Sequence, residues 1–178
     1  MKESNGQTTL MAPQTPGYLK GAPPESRQFD FLIGDWDVAG TRYGEDGSTL
    51  LQYQASWSAR YLNEGRMVMD DFKVYAPDGA EISSFVTLRT YSAASRRWEM
   101  AGLAALQPAA NAEWHGEWQD GEMQLIATGK SPDGKAVSNR IRFFDIENDR
   151  FAWESRMSRD SGESWIRAAS LLASRRSR

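Results

Sequence analysis

The sequence contains no cysteine and only one histidine, His115. The absence of cysteine excludes disulfide bonds, a thiol nucleophile and cysteine-ligated metal. The chain also lacks a Gly-x-Ser-x-Gly motif, a phosphate-binding Gly-x-x-x-x-Gly-Lys-Ser/Thr loop and a strand–helix dinucleotide fingerprint. Nucleophilic hydrolysis and nucleotide chemistry therefore have no support in the sequence.

Long apolar runs are missing as well. No stretch approaches the roughly 20 apolar residues that span a bilayer, and no apolar signal region follows Met1-Lys2. The net charge is only −3 over 178 residues, and a basic footprint for nucleic acid is absent. We therefore expect a cytoplasmic protein with no membrane or nucleic-acid partner.

Aromatic side chains are plentiful: seven Trp, six Tyr and seven Phe. Rings on this scale fill a core or line a pocket for an apolar or aromatic ligand. From residue 34 onward, groups of Gly, Asn, Asp and Pro recur at short intervals and indicate turns. The ten intervening segments are roughly eight to twelve residues long, the spacing of a β-sandwich or barrel. They are 34–43, 48–61, 66–75, 81–91, 97–106, 112–119, 122–130, 136–146, 150–158 and 164–172.

The first 25 residues have a different character. They contain four prolines and three glycines among small polar residues, without an apolar period. This composition predicts a flexible N-terminal arm over residues 1–25 and a barrel domain over residues 26–174. Ser26 to Leu32 is predicted to form one helical turn, with Ser26 as its cap.

Apolar and polar residues alternate within several segments, so faces can be assigned. Tyr53 and Trp57 share one face of 48–61, Trp114 and Trp118 share one face of 112–119, and Trp153 lies on the apolar face of 150–158. One apolar and one polar face, with no helices to cover the second, favours an antiparallel meander. Closure would remove its edges and enclose the aromatic face. We predict an all-β fold, a single antiparallel ten-stranded up-and-down barrel.

The run Phe29–Val38 contains Ile33-Gly34-Asp35-Trp36. Its Gly-x-Trp resembles the first strand of lipocalins, fatty-acid-binding proteins and their relatives, the calycins. The run also resembles the opening of a family of small, mostly uncharacterised bacterial calycin-like proteins, with weaker resemblances at 62–66, 88–91 and Trp98. The resemblance implies a calycin-like barrel in which Trp36 plugs one end and an arginine of the last strand packs against it. By position, that arginine is Arg167.

A second motif lies near the end of the chain. Ser158–Trp165 fits the pattern Ser-x-Asp-x-Gly-x-Ser/Thr-Trp and resembles the Asp-box of sialidase-like propellers. There the aspartate bonds turn amides and the tryptophan packs beneath. We interpret this single copy as the turn that joins the last two strands, and not as the sign of a propeller or a glycosidase.

Related ten-stranded barrels, the nitrobindins, resemble this architecture and bind haem through one histidine. Here the alternation places His115 between Glu113 and Glu117, on the face opposite Trp114 and Trp118. That face is predicted to be solvated, so we expect neither haem nor another cofactor. The sequence also offers no metal-ligand set, and we expect no metal.

Asp71 is the candidate for proton transfer. Asp70 and Asp71 are adjacent in a strand, so their carboxylates point to opposite faces. If Met67 and Met69 point inward, Asp71 lies in the lumen, where desolvation would raise the pKa of its carboxyl. If Val68 and Phe72 point inward, Asp71 is solvated. The sequence leaves both arrangements open.

Three functions follow from this barrel. The first is binding of a small, largely apolar or aromatic molecule in the lumen. The sequence does not decide whether the protein is a monomer or a homodimer. The second is a cofactor-independent isomerase, cyclase or lyase, with Asp71 or Tyr53 in proton transfer and Arg167 or Asn139 holding an oxygen. The third is a structural or interaction protein whose lumen is filled by side chains. The predicted ligand-binding residues are Tyr53, Trp57, Trp114, Trp118, Asn139, Trp153, Ser155 and Arg167.

Overall fold

The computed structural model describes residues 21–105, 111–130 and 134–177. These residues form a closed barrel in which ten antiparallel strands follow each other in chain order and the last pairs with the first. The predicted ten-stranded up-and-down barrel is therefore confirmed, and each predicted segment boundary lies within three residues of the observed one. The strands are β1 (Gly34–Tyr43), β2 (Thr49–Leu62), β3 (Met67–Tyr75), β4 (Glu81–Ser92), β5 (Arg97–Ala104), β6 (Asn111–Gln119), β7 (Glu122–Lys130), β8 (Ala136–Phe144), β9 (Arg150–Ser158) and β10 (Ile166–Arg175).

Several predicted features fall on residues that are not described. They are most of the N-terminal arm (residues 1–20) and the turn signals at 107–110 and 132–133. The first described element is a 3₁₀ helix, Pro24–Leu32, which begins two residues before the predicted helical turn. Proline suits a first helical position because its φ is already fixed there. Ser26 lies within this helix instead of capping it. Within the described ranges, no helix is both long and apolar enough to cross a bilayer.

This 3₁₀ helix closes one end of the barrel, which we call the closed end. Phe29 and Leu32 are completely buried there, as is Trp36 at the start of β1. The indole Nε1 of Trp36 donates a hydrogen bond to the carbonyl of Leu32 at 2.8 Å. Phe29 meets Trp98 edge-on, with ring centroids 4.7 Å apart. The predicted burial of Trp36 at one end of the barrel is thus confirmed.

The arginine that packs on Trp36 is Arg175, so the prediction of Arg167 was wrong. The Arg175 guanidinium carbon lies 4.1 Å from the centroid of the Trp36 ring, and Nη1 donates to the carbonyl of Ile33 at 2.9 Å. Gly34 has a φ of +126°, and a Cβ there would lie 2.5 Å from Nη1 of Arg175. The glycine of Gly-x-Trp therefore leaves room for this arginine.

Arg167 is elsewhere because β10 contains a bulge. The pairing of β10 with β9 shifts between Arg167 and Ala169. A bulge adds one residue to a strand and so reverses the inward–outward alternation across it. Arg167 consequently lies on the outer wall, near the end of the barrel opposite Trp36. We call that end, where β9 turns into β10, the open end.

The turn from β9 to β10 has the geometry that the Asp-box resemblance implied. The Asp160 carboxylate accepts a hydrogen bond from the Ser164 N–H at 2.9 Å, and the Ser158 hydroxyl accepts one from the Gly162 N–H at 2.8 Å. Trp165 Nε1 donates to the Gly162 carbonyl at 3.1 Å. The motif therefore forms the hydrogen-bonded turn that joins the last two strands, as predicted.

These bonds make the turn sensitive to pH. Hydrogen bonds from the Ser164 hydroxyl and N–H, and then from Ser158, hold the pKa of Asp160 well below its usual range. A depressed carboxyl pKa stabilises the fold above the unfolded pKa of about 3.9, and this contribution is lost as pH falls through the folded-state pKa. We expect Asp160→Ala to lower the melting temperature at pH 7 and the difference from wild type to narrow in acid.

Thermal melts at several pH values check this expectation. Glu163→Ala is the matched control, because Glu163 is an exposed acidic residue in the same turn. A melting-temperature difference for Asp160→Ala that persists unchanged at pH 2 would show that the carboxylate's ionisation contributes nothing.

Candidate functional site

Above the closed end, several inward-facing side chains are only partly buried. Tyr53, Trp114, Asn139 and Trp153 all keep solvent-accessible surface, although the strand order closes the wall completely. Inside a closed barrel, solvent reaches such side chains through the lumen. We define the upper lumen by the inward-facing residues Tyr53, Phe85, Trp114, Asn139, Trp153 and Ser155.

Tyr53 and Trp153 line this space at the same level. Tyr53 pairs with Gly40, Gly40 with Leu171, and Leu171 with Trp153, a row that crosses four neighbouring strands. A Cβ at Gly40 would lie 2.2 Å from Cζ of Tyr53, so the phenol ring rests directly on the backbone of β1. Only glycine permits this close approach.

The Tyr53 hydroxyl is suited to donating a hydrogen bond. Burial raises the pKa of Tyr53, and the positive charge of Arg42 offsets part of that shift. A phenol with a raised pKa stays protonated at neutral pH. Tyr53 is therefore a poor general base, and its hydroxyl has no hydrogen-bond partner among the described residues.

Phe85 on β4 and Trp114 on β6 pack together over a second glycine, Gly102, on the strand between them. Their ring centroids are 5.9 Å apart with planes at 79°, and a Cβ at Gly102 would lie 2.3 Å from Phe85 and 2.9 Å from Trp114. Nε1 of Trp114 is shielded from solvent and has no hydrogen-bond partner in the described part of the chain. An unpaired buried N–H is costly, and because this atom is shielded, an acceptor reaches it only when neighbouring side chains move.

Asn139 and Ser155 supply the polar side of the upper lumen. The Ser155 hydroxyl donates to Oδ1 of Asn139 at 3.3 Å across the β8–β9 ladder. Ser155 is buried, whereas Asn139 keeps some exposure. The two predicted ligand-binding residues are therefore together, and their mutual bond leaves the Asn139 amide N–H groups as further donors.

Trp57 and Trp118 do not share this space, although both face inward. Trp57 is 5% exposed, and its Nε1 donates to the Asp70 carboxylate at 2.5 Å. Trp118 packs near Phe31 of the 3₁₀ helix, with ring centroids 6.1 Å apart. Both therefore belong to the closed end, so two of the four predicted lumen tryptophans, Trp114 and Trp153, line the upper lumen.

Asp71 lies on the outer wall, and Asp70 is the inward carboxylate. Val68 and Asp70 are almost completely buried, which is the arrangement in which Val68 and Phe72 point inward. Asp71 instead lies 3.6 Å from Lys73 Nζ. The candidate for proton transfer in the enzyme alternative is therefore outside the lumen.

Asp70 forms a buried ion pair with Arg89, which the sequence analysis did not predict. Its carboxylate accepts hydrogen bonds from Arg89 and from Trp57, and the side chains of both charged partners are at most 4% exposed. The Arg89 guanidinium also lies 5.1 Å from the centroid of the Phe29 ring. This pair ties β3 and β4 to the 3₁₀ helix at the closed end.

Arg167 belongs to a charged cluster on the outer wall. Its Nε donates to Glu154 at 2.6 Å, and Nε of Arg156 donates to the other oxygen of Glu154 at 2.6 Å. Burial raises the pKa of the Glu154 carboxyl, but hydrogen bonds from Arg156 and Arg167 outweigh burial and hold that pKa below its usual value. Arg167 is therefore not a residue of the upper lumen, in contrast to the prediction.

His115 also lies on the outer wall, where it pairs with Glu99 on β5 and Ile126 on β7. Within residues 21–105, 111–130 and 134–177, no three His, Asp or Glu side chains are grouped so that they could hold a metal ion. The absence of haem and metal stays a prediction.

Arg42 is an inward-facing residue of the open end that the sequence reasoning missed. It continues the alternation of Trp36, Val38 and Gly40 along β1, and it pairs with Ala169 and Leu51. The signal was present in the sequence, since extending the inward face of β1 by two residues reaches Arg42.

No protein-family model matches the sequence, and no curated protein matches it. Among solved structures, the barrel is similar to the crystal structure of Rv2717c from M. tuberculosis, with 14% identity, a TM-score of 0.61, and coverage of 88% of this chain and 99% of that one. It is also similar to the S-type phycobiliprotein lyase CPES from Guillardia theta, with 12% identity, a TM-score of 0.53, and coverage of 84% and 91%. At such low identity these likenesses establish the fold alone, the closed antiparallel barrel described above.

Proposed function

We propose that the upper lumen binds a small, largely apolar or aromatic molecule. The observation that carries this proposal is the set of inward-facing aromatic residues Tyr53, Phe85, Trp114 and Trp153, all of which keep some solvent exposure although the wall of the barrel is closed. The rings of Tyr53, Phe85 and Trp153 supply apolar surface, and Asn139 supplies fixed polar atoms. An apolar lining with a few oriented polar groups is the usual composition of a small-molecule site.

The structural likenesses are compatible with this proposal. One protein with the same fold is named a phycobiliprotein lyase. Because of that name, pigment-like aromatic molecules are suitable probes for this chain. We also propose that the chain belongs to the small bacterial calycin-like proteins that its opening resembles, and that it acts in the cytoplasm.

The other two functions have less support. An enzyme that uses Asp71 is disfavoured because Asp71 lies on the outer wall beside Lys73. A completely filled barrel is disfavoured because the completely buried aromatic rings, such as Trp36 and Phe151, lie at the closed end. Binding is therefore the function that the geometry supports best.

Filling the lumen with one large side chain tests the proposal. Ala169 faces inward between Arg42 and Ser155, so Ala169→Trp should occupy the space that a ligand needs. We expect this variant to bind the neutral probe N-phenyl-1-naphthylamine at least about tenfold more weakly than wild type, because overlap with a packed side chain removes the apolar contacts. Probe fluorescence in a titration measures the affinity.

Leu172→Trp is the matched control, since Leu172 is on the same strand but is 51% exposed on the outer wall. It should bind the probe like wild type. Circular dichroism confirms that both variants are folded. Equal binding by wild type and a folded Ala169→Trp variant, or no binding by wild type, would refute the proposal.

A further inference from the structure

The charged side chains at inward strand positions are few. In the described strands they are Arg42, Asp70, Arg89 and Arg175. Asp70 and Arg89 neutralise each other in a buried pair, and Arg175 donates to backbone carbonyls at the closed end. Arg42 alone makes no hydrogen bond or ion pair with any described residue. Among the described strands, the inward face of the open end therefore carries one positive charge without a charged partner.

The Arg42 side chain is close enough to Tyr53 for its charge to influence the phenol. Its charge lowers the pKa of the Tyr53 phenol against the larger effect of burial, which is an interaction between two groups that face the lumen from neighbouring strands. Arg42 pairs with Ala169, and Ala169 with Ser155. The guanidinium thus belongs to the rim of the upper lumen, above the level of Tyr53 and Trp153.

The other polar groups of the upper lumen are mainly donors. The Tyr53 hydroxyl is protonated at neutral pH, the Trp114 indole can only donate, and the Asn139 amide N–H groups are left over from the bond with Ser155. No inward-facing carboxylate of the described strands is free, since Asp70 is fully engaged by Arg89 and Trp57. From the described strands, a cation in this lumen would meet no free carboxylate, whereas an anion would meet the guanidinium of Arg42.

We propose that the ligand of the upper lumen is an amphipathic organic acid, with its anionic head at Arg42 and Tyr53 and its apolar body between Trp114 and Trp153. This inference rests on the proposed function and adds the chemical class and orientation of the ligand. An ionised head at the rim keeps part of its hydration, which avoids the large cost of burying a charge completely. The apolar body then enters the part of the lumen that is lined by rings.

A pair of probes that differ in one anionic group tests the inference. 8-Anilinonaphthalene-1-sulfonate carries a sulfonate that its neutral counterpart, N-phenyl-1-naphthylamine, lacks. We expect wild type to bind the sulfonate probe more tightly at low salt. Arg42→Gln should weaken sulfonate binding by about three- to tenfold, the value of one charge-assisted hydrogen bond at a partly exposed site. The same variant should change neutral-probe binding by less than about twofold, and Arg42→Lys should restore most of the sulfonate affinity.

Two control variants separate this site from other cationic surfaces. Arg60→Gln removes the same charge from an exposed position on the outer face of β2, and Arg167→Gln does so in the outer cluster around Glu154. Neither should change sulfonate binding. Tyr53→Phe, which keeps the ring, should weaken sulfonate binding but not neutral-probe binding.

The outcomes distinguish the two proposals. If the wild type binds neither probe, the proposed function fails, and this inference with it. If the neutral probe binds but sulfonate affinity is no higher and does not respond to Arg42→Gln, the function stands and the organic-acid inference is overturned. An equal loss of sulfonate binding in Arg60→Gln or Arg167→Gln also overturns it, because the anion would then respond to general surface charge.

Discussion

Replacing Trp36 with alanine should lower the free energy of unfolding by about 3–5 kcal/mol, as truncation of a buried aromatic ring does. Trp36 is completely buried, its ring meets Phe151 edge-on at 4.8 Å, and its Nε1 bonds the last residue of the 3₁₀ helix at 2.8 Å. The substitution removes a ring, a hydrogen bond and the surface on which Arg175 stacks. Chemical denaturation followed by far-UV circular dichroism measures the effect.

Trp36→Phe separates these contributions. Phenylalanine keeps most of the ring but cannot donate to the Leu32 carbonyl, so we expect a smaller loss of stability than for alanine. Leu172→Ala is the control on an exposed position of β10 and should change the free energy of unfolding by less than about 0.5 kcal/mol. A Trp36→Ala variant as stable as the Leu172→Ala control would contradict the plugged barrel.

Asp70→Asn should destabilise the protein by about 3–5 kcal/mol, because it leaves the buried Arg89 charge without its carboxylate. The Arg89 side chain is only 4% exposed, so water cannot replace the lost partner without disturbing the closed end. Asp71→Asn is a closely matched control: the same substitution one residue later, on the outer wall. We expect it to cost less than about 1 kcal/mol, the range of exposed ion pairs.

A double variant tests whether the cost arises from the unpaired charge. Asp70→Leu combined with Arg89→Met removes both charges and keeps much of the volume. Such replacements of buried ion pairs are often near neutral, so the double variant should be more stable than Arg89→Met or Asp70→Asn alone. If Asp70→Asn and Asp71→Asn were equally mild, the inward assignment of Asp70 would be incorrect.

The strand count and closure were predictable from the sequence because they depend on local signals. Turn residues punctuate the chain at regular intervals, and the alternation within each segment assigns a buried face. The resemblance of Ile33-Gly34-Asp35-Trp36 to calycins added the position of the plug. These signals are carried by short stretches of chain and do not depend on the shear of the barrel.

The depth of each side chain along the barrel axis was not predictable. Alternation predicts that Trp57 and Trp114 both face inward, but the register between strands decides that Trp57 reaches Asp70 at the closed end and that Trp114 lies further up the lumen, where it is only partly buried. Register is set by pairing across the whole sheet. The prediction that all inward-facing tryptophans line one cavity did not take their positions along the barrel axis into account.

Two further errors have local physical causes. The bulge between Arg167 and Ala169 places the Arg167 side chain on the outer wall instead of the inner one. No residue type in that segment predicts a bulge. In β3, Met67 and Met69 offered an apolar face that competed with Val68 and Phe72, so the sequence left Asp70 and Asp71 undecided. The buried Asp70–Arg89 pair decides the matter, because it lets a carboxylate occupy the inward face.

Two-dimensional proton–nitrogen NMR of the seven tryptophan indole N–H groups tests the central claim, ligand binding in the upper lumen, most directly. Trp36, Trp57, Trp98 and Trp165 already donate to protein acceptors, whereas Trp114 has no partner in the described chain. Saturation with 8-anilinonaphthalene-1-sulfonate should therefore shift the Trp114 and Trp153 signals, assigned with Trp→Phe variants, and leave those of Trp36, Trp57 and Trp98 nearly unchanged. Shifts confined to Trp165 or to the tryptophans of the closed end, or no shift at all, would contradict it.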